Sequence, residues 1–548
     1  MNTLDNNPNQ GWLSWFLKGS LVLIAVILFA RLAELQIIKG DYFNNLAQNN
    51  RIRHVSIIAP RGKILGSDNE IIAGNIPIKE KIVFTKDGFE KSLDTDGVNP
   101  NDLITESKRN YFLGSAAAHI TGYLAEVNED EVDKVDPKCP EKGPRGPGDF
   151  VGRSGLEERY DCLLRGVDGE ELIEVDAMGQ PVRVLGTKNP IPGKDLTTTI
   201  NTALQQKVAS VMENPKLIPP GTKLPDGKRG ATVITDGKGR VLAMYSSPSY
   251  DPNIFINKNS KEINNALKNQ YLPLFDRTID GLYHPGSTFK IVTSTAALEE
   301  GKIDENFTFK DEGFITLNGY TYGNWFWSEF GRTEGEINLT KAIARSTDTF
   351  FYKVGEIVGI NDLSSWAKKF GLDRATGIDI PNEASGLIPD PAWKRQAKGE
   401  LWFLGDTYNV SIGQGDVAIT PLAANILTSS IASGGKICPP HINSEIENQC
   451  LSLALHQKTI DLIKEGMIGA CSDGGTAFPF FGFTPQVACK TGTAETGDNG
   501  KTHAWFAAFA PATDPKIVID VIVEKAGQGS EVAAPIAKEI LQYYFQRK

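Results

Sequence analysis

A serine hydroxyl becomes a nucleophile when a base stands within reach. A lysine one helical turn away can be that base if burial or a neighbouring cation lowers its pKa. The segment His284-Pro-Gly-Ser-Thr-Phe-Lys290 has this form. Pro285 and Gly286 break the preceding loop, and the next dozen residues have helical composition, with Gly301 placed as a C-cap. Ser287 is therefore expected at a helix N-terminus, where free N–H groups and the dipole favour developing negative charge, with Lys290 on the same face. Alone the pattern is weak. Ser365-x-x-Lys368 and Ser433-x-x-Lys436 match it equally well, and a lone Ser-x-x-Lys is ordinarily a solvated helix surface.

Two further patterns sharpen the reading. Ser346-Thr-Asp348 opens another helical stretch; by itself it reads as a helix cap. Lys490-Thr491-Gly492-Thr493 ends a short apolar run, followed by Asp498-Asn499-Gly500 and then HAWFAAFAP, the outline of a hairpin whose first strand presents Lys490. A glycine there would let a ligand lie against the strand backbone, and the lysine with its flanking hydroxyls offers an anion site. Two lysines facing one pocket should depress each other's pKa. The three patterns in this order point to serine acyl transfer.

These residues need a scaffold. Apolar residues from Leu204 to Met212 fall at helical spacing, Gly230 to Ser247 reads as strand, Asp-Gly-Lys-Gly turn and strand, Ala504 to Ala510 and Lys516 to Glu524 read as two more strands, and Glu531 to Phe545 as an amphipathic helix. Strands at both ends of a long helical middle imply an α+β domain whose sheet is completed by distant parts of the chain. Residues 36 to about 190 are mixed and glycine-punctuated: Pro137 to Gly148 is a loop, and Glu170 to Leu185 is a hairpin turning at Met178-Gly179. This gives a β-rich spacer before the α+β domain.

At 548 residues the chain exceeds a single hydrophobic core. A net charge of -10 argues against nucleic acid as a partner. The six cysteines permit disulfides in an oxidising compartment. Their pairing is not fixed by sequence; Cys139 with Cys162 and Cys438 with Cys450 are the short-loop options. No Cys-x-x-Cys pair occurs, so no metal site is expected. From Trp12 to Ala33 the chain is apolar and long enough to cross a bilayer. Arg31 follows Ala30 with no small-x-small cleavage site, which favours an uncleaved anchor over a signal peptide. Charge counting does not support an N-inside topology, since only Asp5 precedes the span and Arg31, Lys39, Arg51 and Arg53 follow it. The large C-terminal part is assigned to the outside on chemical grounds.

The chain resembles the class B penicillin-binding proteins, D,D-transpeptidases, and most of all the elongation-type penicillin-binding protein 2 group. The resemblance spans nearly the whole length: NNRIR (Asn49 to Arg53), APRG (Ala59 to Gly62), GRSGLEERYD (Gly152 to Asp161), SSPSYDPN (Ser246 to Asn253), STFK, STDTFFY, IGQG (Ile412 to Gly415) with Thr420-Pro421, and KTGTAE. It implies a penicillin-recognising serine transpeptidase domain, an antiparallel sheet with helices on both faces, at 195–548. A pedestal at 36–194, an anchor at 12–35 and a short cytoplasmic tail at 1–11 precede it. It further implies that Ser287 attacks the penultimate D-alanine carbonyl of a peptidoglycan stem peptide, with Lys290 as base. Ser346 would pass the proton to the leaving amine, and the N–H groups of Ser287 and Thr493 would form the oxyanion hole. Lys490, Thr491 and Thr493 would hold the terminal carboxylate, and Asp348 and Gly492 complete the substrate-binding motifs. No cofactor is implied. The implied partners are the stem peptides, the membrane and a glycan polymerase of the SEDS type with other elongation proteins.

The chain departs from the family at three places. Asp348 stands where Asn is usual, a mark of the elongation subgroup, and Asp276 also replaces an Asn. The stretch from Asn75 to Tyr111 is short, so the projecting head of the spacer is reduced. A β-lactamase would carry the same motifs on about half this length with a placed deacylating Glu. A β-lactam receptor would need a signalling module, and about eleven residues before the anchor are too few. A D,D-carboxypeptidase, with water as acceptor, is the chemically adjacent alternative.

Overall fold

The computed structural model describes residues 10–85, 88–92, 103–176, 181–219, 222, 229–447, 449–498 and 500–546. Residues 1–9, most of the expected tail, the Met178-Gly179 turn and Asn499 lie outside them. The chain forms two compact units. One comprises Met1–Pro60, Pro77–Lys108 and Gly166–Pro192; the other comprises Arg61–Ile76, Arg109–Arg165 and Gly193–Lys548.

The first unit begins with α1 (Gln10–Ala33), continued by a π-helical segment, Glu34–Ile38. The apolar span runs Trp12–Ile38, five residues beyond α1, and none of it is buried within the protein. This is the exposure a membrane-crossing helix has outside its bilayer. After it, β1 (Ile52–Ile57), β2 (Gly169–Val175) and β3 (Pro181–Lys188) form an antiparallel sheet in that order. The expected hairpin is the β2–β3 pair.

The second unit is built on a five-stranded antiparallel sheet. Its strands are β4 (Gly230–Thr235), β5 (Val241–Ser247), β6 (Ala488–Glu495), β7 (Thr502–Ala510) and β8 (Ile517–Val523), in the order β5-β4-β8-β7-β6. β8 explains why the sheet is central. Val518 and Ile522 enter one apolar cluster while Ile517, Ile519, Val521 and Val523 enter another, so both faces are covered. On one face lie α2 (Lys290–Glu299), α3 (Leu339–Arg345), α4 (Asp348–Val358), α5 (Pro421–Ala432) and α6 (Gln457–Ala470). On the other lie the helix Thr202–Glu213 and α7 (Ala533–Gln546).

Two of the sequence matches meet within this unit. Arg61 donates to Glu157 Oε2 (2.6 Å) and to Asp161 Oδ1 (2.8 Å), and Arg109 donates to Glu157 Oε1 (2.7 Å). APRG and GRSGLEERYD are thus two sides of one buried ion-pair network. The cysteines pair as Cys139–Cys162, Cys438–Cys450 and Cys471–Cys489, the two short-loop options and a third bridge.

Candidate active site

Ser287 stands not in the first turn of α2 but in a 3-10 turn, Gly286–Phe289, that leads into it. The turn is seated from two sides. Gly286 N–H donates to Gly413 O (2.9 Å), and a Cβ on Gly413 would come within 2.3 Å of Gly286 O, so the IGQG loop requires glycine there. On the other side is β6. A Cβ on Gly492 would meet Trp505 Cβ at 2.9 Å, Pro285 O at 3.2 Å and Thr288 Cγ2 at 3.2 Å. Gly492 therefore makes room for the Ser287 turn and for Trp505. The indole of Trp505 also donates to His284 O (3.0 Å).

Ser346 corrects a second expectation. Rather than opening a helix, it ends α3 in the left-handed region, at φ 55°, and Asp348 is the first residue of α4. A non-glycine residue in that conformation costs free energy that the surrounding contacts must offset. Here the left-handed turn brings the Ser346 hydroxyl between two ammonium groups. Lys490 Nζ donates to Ser346 Oγ (2.8 Å) and to Thr491 O (2.9 Å). Lys290 Nζ donates to Ser346 O (2.9 Å), Ser346 Oγ (3.2 Å) and Asp348 Oδ1 (2.6 Å), and none of these three bonds goes to Ser287.

Both lysines are fully buried. Burial pushes the Lys290 ammonium below its ordinary range, and the charge and hydrogen bond of Asp348 oppose that fall. Lys490 falls further, by burial first and the charge of Lys290 second, against the pull of Asp348. Burial, rather than mutual repulsion, is the leading cause for both.

Ser287, Ser346, Asp348, Thr491 and Thr493 line one cavity of about 620 Å³, above the buried lysines. Trp325, Phe326 and Phe330 form one wall, and Tyr352, Gln414 and Thr476 also face it. Gln414 Nε2 donates to Thr493 O (3.3 Å), and the hydroxyls of Thr476 and Thr491 are 2.8 Å apart. The sequence reading missed the aromatic wall, Gln414 as a contact, and Thr476. Only Gln414, inside IGQG, carried any local signal. Asp276 lies outside the cavity lining; its Oδ1 accepts from Thr278 N–H (3.0 Å) and from the Thr278 hydroxyl (2.5 Å), the local turn bonding that an Asn could equally make.

A hydroxyl before a helix, two buried amines of lowered pKa and a strand edge bearing threonines make a serine acyl-transfer centre. Residues 230–542 match the penicillin binding protein transpeptidase domain, and residues 89–198 the penicillin-binding protein dimerisation domain. The peptidoglycan D,D-transpeptidase MrdA of Haemophilus influenzae is 30% identical, over 96% of this chain and 90% of that one. Among solved structures, penicillin-binding protein 2 of Helicobacter pylori in complex with MreC superimposes with a TM-score of 0.75 at 26% identity, covering 90% of this chain and 99% of that one. A chain of a peptidoglycan synthase complex that coordinates polymerization and crosslinking gives 0.75 at 27% identity, covering 98% and 99%. The chain belongs to the penicillin-binding transpeptidases, and within them to the penicillin-binding protein 2 group of serine-type peptidoglycan D,D-transpeptidases.

Proposed function

We propose that this transpeptidase cross-links stem peptides during cell elongation through an acyl-enzyme on Ser287. Ser287 Oγ attacks the carbonyl of the penultimate D-alanine and gives its proton to Lys290. The C–N bond to the terminal D-alanine breaks, Ser346 returns a proton to the departing amine, and an ester to Ser287 remains. An amine of a neighbouring stem then displaces Ser287 and forms the cross-link. The observation that carries this reading is the shared hydroxyl: Ser346 Oγ accepts from Lys290 and Lys490 at the floor of the cavity that Ser287 lines. Those bonds give a proton a short route among Lys290, Ser346 and Lys490, beside the cavity that Ser287 lines. The main-chain N–H groups of Ser287 and Thr493 are assigned to the oxyanion, each worth ~3 kcal/mol in such sites. Thr491, Thr493 and Lys490 are assigned to the substrate carboxylate.

The apolar helix at the N-terminus anchors the protein, with the catalytic unit outside the cytoplasm where its substrate and three disulfides belong. A SEDS-type polymerase is the expected membrane partner. Ser287→Ala should abolish covalent labelling by a fluorescent penicillin. Undiminished labelling of that variant would end the assignment. Incubation with stem-peptide donor and acceptor should yield the cross-linked product together with free D-alanine; free D-alanine alone would mark a carboxypeptidase.

A further inference from the structure

What fixes the head of α4, and with it Asp348, includes residues outside the three motifs. The Asp348 N–H donates to Asn324 Oδ1 (3.2 Å). Asn324 is fully buried, and its amide nitrogen donates to Asp311 Oδ2 (3.2 Å). Asp311 is 1% exposed. Its Oδ1 also accepts from Gly313 N–H (2.9 Å) and Thr349 Oγ1 (2.7 Å), and its Oδ2 from Glu334 N–H (2.8 Å). These donors reach it from separate elements: Asn324 caps the helix Trp325–Phe330 that walls the cavity, Glu334 precedes the strand Gly335–Asn338, and Thr349 is the second residue of α4. One buried carboxylate thus ties the cavity wall to the helix that carries Asp348. Because Asn324 accepts on one side and donates on the other, its amide has a single satisfactory orientation.

We propose that Asp311 and Asn324 are positioning residues of the acylation reaction: the carboxylate orients the amide, and the amide sets the head of α4 so that Asp348 meets Lys290. The proposal rests on the reading of Lys290 as the base for Ser287. The charged groups facing Lys290 are Asp348 from α4 and Lys490 from β6, with the ring of Phe351 5.1 Å away. Of the two charged groups Asp348 alone favours the protonated amine, adding to the weaker pull of the Phe351 ring, so its placement helps set how readily Lys290 takes a proton from Ser287.

The test is the rate constant for labelling of the full chain by a fluorescent penicillin as a function of pH. In the wild-type protein labelling should rise along an acid limb as Lys290 loses its proton. Asn324→Ala frees the Asp348 N–H and lets the carboxylate drift from the lysine, which then sheds its proton more easily. The acid limb should move to lower pH by ~0.5 unit or more while the plateau rate falls about tenfold. Asp311→Asn should move it the same way. An unmoved limb in Asn324→Ala overturns the proposal whatever the yield of folded protein, because the rate is read only on molecules that label. If that variant gives no labelled molecule, Thr349→Val, which removes one of the four bonds to Asp311, decides by the same criterion. A wild-type chain that does not label, or Ser287→Ala that does, would instead remove the acyl-enzyme reading underneath.

Discussion

Lys290 and Lys490 reach one hydroxyl from different elements, yet they are not equivalent bases. Asp348 pairs with Lys290 at 2.6 Å and favours its protonated form, whereas Lys490, with no carboxylate bonded to it among the described residues, bears burial plus the charge of Lys290 against only the through-space pull of Asp348. The types of both residues were legible in the sequence, because three such patterns in this order have few other uses, although Ser-x-x-Lys alone also occurs at Ser365 and Ser433. Their inequality was not, since it depends on which carboxylate folds back onto which amine. Asp520 makes the same point in the core. Within the run IVIDVIV it alternates onto the face covered by α5, where Thr428 Oγ1 and Asn425 Nδ2 each donate to it at 3.1 Å, and burial holds its carboxyl well above the usual range. In the unfolded chain it ionises near pH 4 (about 3.9). A folded-state pKa above that value means stability is greatest at low pH and is lost as pH rises from about 4 through the folded value. Asp520→Asn keeps the neutral, hydrogen-bonded form at every pH. It should stabilise the protein by about 1 kcal/mol or more at pH near 8 and by little near pH 4, read as the difference in thermal midpoints. Equal effects at the two pH values would refute the burial argument.

Among elements, those with strict alternation or helical period were readable, and those set by contacts between distant segments were not. β4, β5, β7 and β8 are apolar over most of their length and bounded by turn residues, so their existence follows from local pattern. The closing helix, expected over Glu531 to Phe545, runs Ala533–Gln546. By contrast, nothing local marks Thr308–Asp311 or its partner strand Gly335–Asn338 as supports of the site, and the left-handed Ser346 follows from how α3 and α4 meet. The third disulfide belongs here too. Cys471 closes α6 and Cys489 lies in β6 immediately before Lys490, so the bridge ties the cavity residue Thr476 and the lysine strand to one helix end. Replacing both cysteines with serine opens a loop with a sequence separation of 18 and should cost about 3 kcal/mol. Penicillin labelling should weaken together with that loss, whereas the equivalent pair of changes at Cys438 and Cys450, which lie outside the cavity lining, should lower stability alone. Comparing melting and labelling rates of the two double variants checks this; identical effects on labelling would count against the link through Lys490.

The whole molecule sets where the catalytic unit can be cut. Its apolar core does not stop at the sheet: Ile64, Ile72, Ile120, Leu156 and Leu164 pack in one cluster with Ile200, Val233, Val241 and Met244. Leu196 and Thr197 also pair in parallel with Ile64 and Leu65. The buried Arg61–Glu157–Asp161 network draws on the same early segments. A fragment of residues 195–548 would lose those five aliphatic side chains from the cluster and expose the face of β4 and β5 they cover. At ~2 kcal/mol per buried side chain the loss is of order 10 kcal/mol, as large as the whole stability of an ordinary domain. Such a fragment, though it holds all three motifs, should be insoluble or melt without cooperativity, and should label with penicillin poorly. A chain beginning at residue 39, freed of the apolar span alone, should stay soluble and label at the full-length rate, because that span contributes no buried residue to the described protein. Purifying both fragments and measuring thermal melting and labelling side by side separates these outcomes. A cooperatively folding, fully labelling 195–548 fragment would show that the early segments merely lie against the catalytic unit and do not complete its core.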